Sequence, residues 1–377
     1  MFDFFTFFIY LGLLFLLILL TSEQESRVGI SNFHYSYPTK LEIGPFLALI
    51  LITFIVGFRY DVGVDWQGYY LDFQQIEIRE GLKFSDQSYE WAFFHLMKVI
   101  AYLGLNYIWL FAAMALISWY FLFKSVPRFI LPLFVYFLFV DEFFFWSLNG
   151  VRQFAAMTIW VFSLRYVVER NFIKYLLFIL LGALFHLSIL FLIPLYFLPY
   201  RCLTNRAVWL VLFVVTFLLI NGNMFMGAFA SFFEFLGPQG GMFAKFFWYY
   251  QSGKLAADET SLGLGYFFEI VTNFILIWLS PKILQENRQL SIYFVLFFFG
   301  VILFNLFYEF QLIARVFNYF LFVKSIILSL TVVYYWKNRV FQTPIVIGIV
   351  LYFFLFLSSV YNGSNMCCPY RFAFWLN

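Results

Sequence analysis

The sequence predicts an all-α, polytopic integral membrane protein. Of its 377 residues, 64% are hydrophobic and only 11% charged, the mean hydropathy is +0.88, and apolar runs near the ~20 residues that cross a bilayer recur along the chain. A water-soluble globule could not cover so much apolar surface, and runs of this length favour helices over barrel strands. Roughly 11–13 hydrophobic segments are expected, of which about 10 read as full crossings and the rest as re-entrant or broken helices.

The first segment, residues 4–20, has no Lys or Arg before it, and "LLTSEQES" offers no small-x-small cleavage site, so it reads as an uncleaved helix rather than a signal peptide. A crossing at 42–58 leads into a polar loop, 59–90. In 91–104, Trp91, His95, Lys98 and Tyr102 make one polar stripe on an apolar helix, the pattern of an interfacial or re-entrant element. Crossings follow at 105–123, 129–147 and 151–168. The apolar stretch 173–199 is too long for one comfortable span and too short for two. Arg170 and Lys174 precede it and Arg201 and Arg206 follow it, so the positive-inside rule puts both its ends in the cytoplasm, as a helical hairpin with its tip near His186. A crossing at 207–221 opens a second loop, 222–262, whose "GPQGG" and "KFFWYYQSGK" suggest a partly apolar lid. The remaining crossings are 263–280, 290–308, 316–336 and 342–361.

With 91–104 and the hairpin treated as non-crossing, Lys124/Arg128, Arg170/Lys174, Arg201/Arg206, Lys282/Arg288 and Lys337/Arg339 all come out cytoplasmic. Loops 59–90, 148–150, 222–262 and 309–315 and both termini then lie outside. No internal repeat or low-complexity linker is visible, so 1–377 reads as a single membrane domain. A net charge of +3 without a basic run gives no nucleic-acid footprint. Cys202, Cys367 and Cys368 fit no zinc spacing, and neither metal nor cofactor is expected.

Three arginines, Arg59, Arg152 and Arg315, fall on the outer face against the positive-inside bias, and each asks for a local partner or an anionic ligand. Guanidinium groups match phosphate oxygens through paired donors, so three together suit a lipid diphosphate. The alternative is internal pairing: Arg59 with Asp61 or Asp65, Arg152 with Asp141 or Glu142, Arg315 with Glu309. His186, in "ALFHLSIL", is a candidate base or acceptor-positioning group on the same face, beside its plainer role as a satisfied structural residue. Asp61 and Asp65 could orient arginines, bind sugar hydroxyls or act as a base, with Gly63 between them favouring a loop. Trp66, Tyr69, Tyr70, Asn149 and Gln153 suit polyol recognition. Glu269 and Lys324 lie within expected helices and read as a packing pair or cavity lining.

Four motifs in order resemble the EpsG-type branch of the Wzy-like polysaccharide polymerases: "FRYDVGVDW" at 58–66, "NGVRQFAAM" at 149–157, "LFHLS" at 184–188 and "ARVFNYF" at 314–320. Val64 and Trp66 depart from the residues common at those places in the family. The resemblance implies a multi-pass protein of the bacterial inner membrane, with its active site toward the periplasm. There it would move a growing glycan from undecaprenyl diphosphate to the terminal sugar of an incoming lipid-linked repeat unit of O-antigen or exopolysaccharide. It also implies a chain-length co-polymerase and a flippase as partners. Under it Arg152 and Arg315 are the diphosphate ligands, Arg59 either a third one or the group that orients the acids, His186, Asp65 and Asp61 the catalytic candidates, and Tyr319 joins the sugar-binding set. A ligase using the same lipid diphosphate, or a transporter of lipid-linked oligosaccharide, are the alternatives.

Overall fold

The computed structural model describes residues 3–22, 30–35, 37–78, 89–220, 264–307 and 311–376, and these are helical, with no strand among them beyond an isolated bridge between Arg59 and Phe372. The expected lid, 222–262, and Glu309 lie outside the described residues. By internal packing the chain divides into two compact units, where the sequence reads as one domain: Met1–Leu198 with Leu328–Asn377, and Pro199–Ile327.

The first unit contains α1 (Phe4–Thr21), α2 (Ile43–Gly57), α3 (Trp66–Ile78), α4 (Trp91–Tyr102), α5 (Tyr107–Lys124), α6 (Leu131–Val140), α7 (Phe143–Asn149), α8 (Val151–Val168) and α9 (Phe172–Ala183). A 3-10 helix, Leu187–Phe197, follows α9. Asp3 caps α1 by accepting from the Phe5 and Thr6 amides, and Asn106 and Asn171 cap α5 and α9 in the same way. The core is α8, buried nearly all round, against α5 and α9, with α2 against α5 and α1 against α2 and α6. Gly57 lets α2 approach α5 closely, since a Cβ there would stand 2.7 Å from Ala112 Cα. Apolar side chains such as Phe4, Phe8 and Phe15 remain exposed, as a hydrocarbon environment requires.

The second unit holds α10 (Arg206–Ile220), α11 (Leu264–Glu286), α12 (Ser291–Phe307) and α13 (Gln311–Phe322), and the division falls within α14 (Lys324–Lys337). Trp209 of α10 packs on Phe298 of α12 at 5.1 Å, and buried Asn305 donates to Phe213 O (3.3 Å) and Thr216 Oγ1 (3.2 Å). Lys324, almost fully buried, pairs with Glu269, which also accepts from Asn273 Nδ2 at 3.1 Å. The helix α15 (Gln342–Asn362) returns to the first unit and packs on α6.

Six described helices are long and apolar enough to cross a membrane, and a bent pair makes up to seven, against the about 10 crossings expected from sequence. Part of the gap is length, since α2 and α10 have 15 residues each. The crossing expected at 129–147 is the bent pair: the axis turns 68° between α6 and α7. Its cause is Asp141–Glu142, where Glu142 takes φ 63° and its carboxylate accepts from Ser359 Oγ of α15. The stretch 91–104 is a 12-residue helix with Phe93, Phe94, Met97 and Ile100 buried and Trp91 and Tyr102 exposed. The stretch 173–199 is a hairpin: Phe172 meets Phe197 at 5.2 Å, Tyr175 OH donates to Leu192 O at 2.7 Å, and the chain reverses at Leu184–His186.

Candidate functional site

The helices of the first unit bring three of the four sequence motifs to one end. The opposite end of α5 and α8 carries its own basic residues, where Arg165 Nη2 donates to Lys124 O and Lys124 Nζ to Thr39 O.

Arg59 follows α2 and folds back beneath its own loop. Its Nη1 donates to Val56 O, Nε to Val62 O (3.2 Å) and Nη2 to Leu148 O (2.9 Å), while the guanidinium carbon sits 4.3 Å from the Phe111 ring centre. The residue is 0% exposed. Burial pulls its pKa down to about 10, which leaves it charged at neutral pH. A cation beside carbonyls at a helix C-terminus is electrostatically favoured. Arg59, expected at the diphosphate, has its donors turned inward and taken by backbone. Neither Asp61 nor Asp65 is its partner. Both aspartates are exposed, and Asp61, at φ 52°, accepts from Gln67 Nε2 at 3.0 Å.

Gly63, at φ 104°, makes the loop between them possible, since a Cβ would stand 2.9 Å from both Leu148 O and Asn149 Oδ1. Asn149 holds the same loop. Its Oδ1 accepts the Val64 amide and its Nδ2 donates to Phe145 O (2.9 Å) and Cys367 Sγ (3.4 Å). The C-terminal segment closes the arrangement. Tyr60 N donates to Arg371 O (2.9 Å), Gly63 N to Met366 O (2.8 Å) and Ala373 N to Phe58 O (2.8 Å). Tyr370 OH reaches Ile55 O at 2.6 Å. Burial pushes the Cys367 and Cys368 thiols up to about 12.

The expected sugar-binding side chains are largely interior. Trp66 is 2% exposed, stacked on Tyr70 at 5.0 Å and packed by Tyr60 at 4.8 Å. Tyr69, Asn149 and Gln153 are buried, as is Tyr319 in the second unit. The reason is common to the aromatic ones: a flat apolar face gains more from a neighbouring ring than from lining an open surface.

Arg152, at the start of α8, is partly accessible, at 20% of its side chain. Its Nη1 pairs with Glu90, not with Asp141 or Glu142. The guanidinium carbon lies 4.6 Å from the Tyr89 ring centre, 5.6 Å from Phe93 and 5.8 Å from Tyr69. Tyr89 OH donates to Asp72. Glu90 also accepts the Leu187 amide through Oε1 at 3.3 Å, and Ala92 N donates to Leu184 O at 2.9 Å, so the start of α4 is docked on the hairpin tip. There His186 is half-buried, its Nδ1 2.6 Å from Ser188 Oγ. Arg152 and the backbone of Leu187, the residue after His186, are thus linked through one carboxylate. Sequence reasoning missed Glu90, Tyr89 and Asp72. The available signal was an acid directly before an aromatic helix, in a loop facing an arginine that lacked a partner. Arg315 is exposed on α13, in the second unit.

A family model described as EpsG family matches residues 43–372. The chain belongs to the EpsG family. The match runs from the first residue of α2 to Phe372, so it takes in both the Arg59 loop and the C-terminal segment bonded to it. No curated protein and no solved structure matches the chain. As an EpsG-family member with several helices able to span a bilayer, it is a membrane protein of the polysaccharide-polymerase type.

Proposed function

We propose that this EpsG-family protein polymerises lipid-linked glycan repeat units of an O-antigen or exopolysaccharide. It transfers the growing chain from undecaprenyl diphosphate to the terminal sugar of an incoming unit, at the periplasmic face of the inner membrane. The observation that carries this reading is the link Arg152–Glu90–Leu187, which holds the Arg152 guanidinium beside the turn that carries His186.

In the reaction, the acceptor hydroxyl oxygen bonds to the anomeric carbon as that carbon's bond to the diphosphate oxygen breaks. Charge develops on the leaving diphosphate, and a fixed guanidinium in a ring-lined site stabilises it. Arg152 takes that role. The acceptor's proton passes to His186, with Asp65 and Asp61, exposed on the neighbouring loop, as the other acceptors to test. Arg315 is a second candidate cation to be tested by its own substitution. A chain-length co-polymerase and a flippase are the expected partners.

The experiment is a lipopolysaccharide or capsule gel of the source strain with the gene deleted, then restored as wild type or as Arg152→Ala. Collapse of the ladder to one repeat unit, reversed by wild type alone, supports polymerisation. Full-length polymer left unattached would replace it with a ligase, and an unchanged ladder would end the reading.

A further inference from the structure

Glu90 stands between the two groups that the proposed reaction has to hold together. Its Oε2 receives Arg152 Nη1, and its Oε1 accepts the Leu187 amide, one residue after His186. The carboxylate side chain is 11% exposed and the guanidinium 20%. Tyr89 and Phe93 wall the arginine with aromatic rings, and Tyr69 meets it with its ring and with a side-chain hydrogen bond. Arg152 Nε is buried and has no hydrogen-bond partner among the described residues.

That use of the guanidinium is incomplete. Arginine's fork suits two parallel bonds to one anion, and a buried N–H without a partner carries a cost that a better ligand removes. The Glu90 carboxylate gives its second oxygen to the Leu187 amide rather than to Arg152. A phosphate, with more oxygens and more charge, can supply the second bond.

We propose that Glu90 is the internal anion of the Arg152 site: it occupies the guanidinium when no substrate is bound and gives way to a phosphate oxygen of the incoming ester. The inference rests on the reading of Arg152 as the phosphate ligand. Once that oxygen is seated, like-charge repulsion drives the carboxylate off Arg152 and off the Leu187 amide together. The turn carrying His186 and Ser188 then loses its bond to Glu90 only when an anion is in place, while Ala92 N stays on Leu184 O. Anion binding and loss of the Glu90–Leu187 bond are coupled in both directions. A neutral glycan does not displace Glu90, so the exchange selects phosphate esters, lipid-linked or free.

The test uses the full chain in detergent. Binding of inorganic pyrophosphate and of farnesyl diphosphate is titrated for wild type, Glu90→Gln and Arg152→Ala, and amide hydrogen exchange at Leu187 is followed in wild type with and without each probe. Glu90→Gln keeps the shape and removes the competing charge, so it binds both probes tighter by on the order of tenfold. Exchange at Leu187 quickens when a probe binds wild type. A further gain for farnesyl diphosphate over pyrophosphate identifies the lipid-linked ester as the source, and equal binding identifies the free phosphate chemistry. If Arg152→Ala abolishes binding but Glu90→Gln binds no better than wild type, the displacement idea falls and the role of Arg152 stands. If no probe binds, or binding ignores Arg152→Ala, both fall. Should Glu90→Gln fail to fold, Leu187 exchange in wild type decides: unchanged or slower exchange with bound probe overturns the proposal.

Discussion

Arg59 Nη2 donates to the backbone oxygen of Leu148 across 2.9 Å, joining the loop after α2 to the end of α7, 89 residues later. Together with its bonds to Val56 O and Val62 O, this makes Arg59 a fastener for three chain segments rather than a surface cation.

Arg59→Met keeps the length of the side chain and leaves buried carbonyls without a donor, which costs about 3 kcal/mol or more. Its thermal unfolding temperature in detergent should fall clearly below that of wild type. Arg59→Lys should recover only part of the loss, because one ammonium cannot serve carbonyls on three segments. A variant that melts like wild type yet makes no polymer would return Arg59 to the substrate.

Arg152 is expected to behave differently. Arg152→Ala should lower turnover in a reconstituted polymerisation assay by on the order of 10²–10³, the scale of losing one preorganised donor at a developing oxyanion. Arg152→Lys should fold and remain well below wild type, since a point charge does not reproduce the fork. Turnover near wild type in both would remove Arg152 from the reaction.

The C-terminal segment is expected to be indispensable, although it follows the last long helix. Ending the chain after Gly363 deletes the acceptors on Met366 and Arg371 and the donor on Ala373 that hold residues 58–63. The truncated protein should lose activity and become cleavable by protease in the Arg59 loop. The milder Tyr370→Phe removes only the bond to Ile55 O and should cost about 1 kcal/mol. A truncated chain with full activity would show that the loop needs no such support.

The cysteines supply a chemical check. Cys367 is buried and Cys368 half-buried, and burial raises both thiols from their ordinary 9 to about 12, so they should resist a maleimide at pH 8 while exposed Cys202 reacts. Mass spectrometry of native and denatured samples reads this directly. The sign of the linked stability follows. Between pH 9 and 12 the folded chain keeps thiol protons that the unfolded chain releases, so stability falls as pH rises through that window and is insensitive to these groups below it. Rapid labelling of Cys367 in the native protein would contradict the packing around Asn149.

Much of this protein is written in local pattern. Apolar runs near the length of a bilayer crossing determine a helical membrane protein, because unpaired backbone in hydrocarbon is too costly for other choices. The polar stripe of α4, the reversal near His186 and the loop at Gly63 follow from residue spacing and flanking charge alone, and the motifs around Arg59, Arg152, His186 and Arg315 suffice to suggest the family. Charge partnership is a different matter. Which anion meets a guanidinium depends on which segments the packing of α5, α8 and α9 brings within 3 Å, and those partners lie 62 residues away for Arg152 and 89 for Arg59. No periodicity encodes such distances. Tertiary structure therefore turned Arg59 inward, gave Arg152 to Glu90, drew the C-terminal segment onto the Arg59 loop, and buried Trp66 among rings, because each contact is set by long-range packing and desolvation rather than by neighbours in sequence.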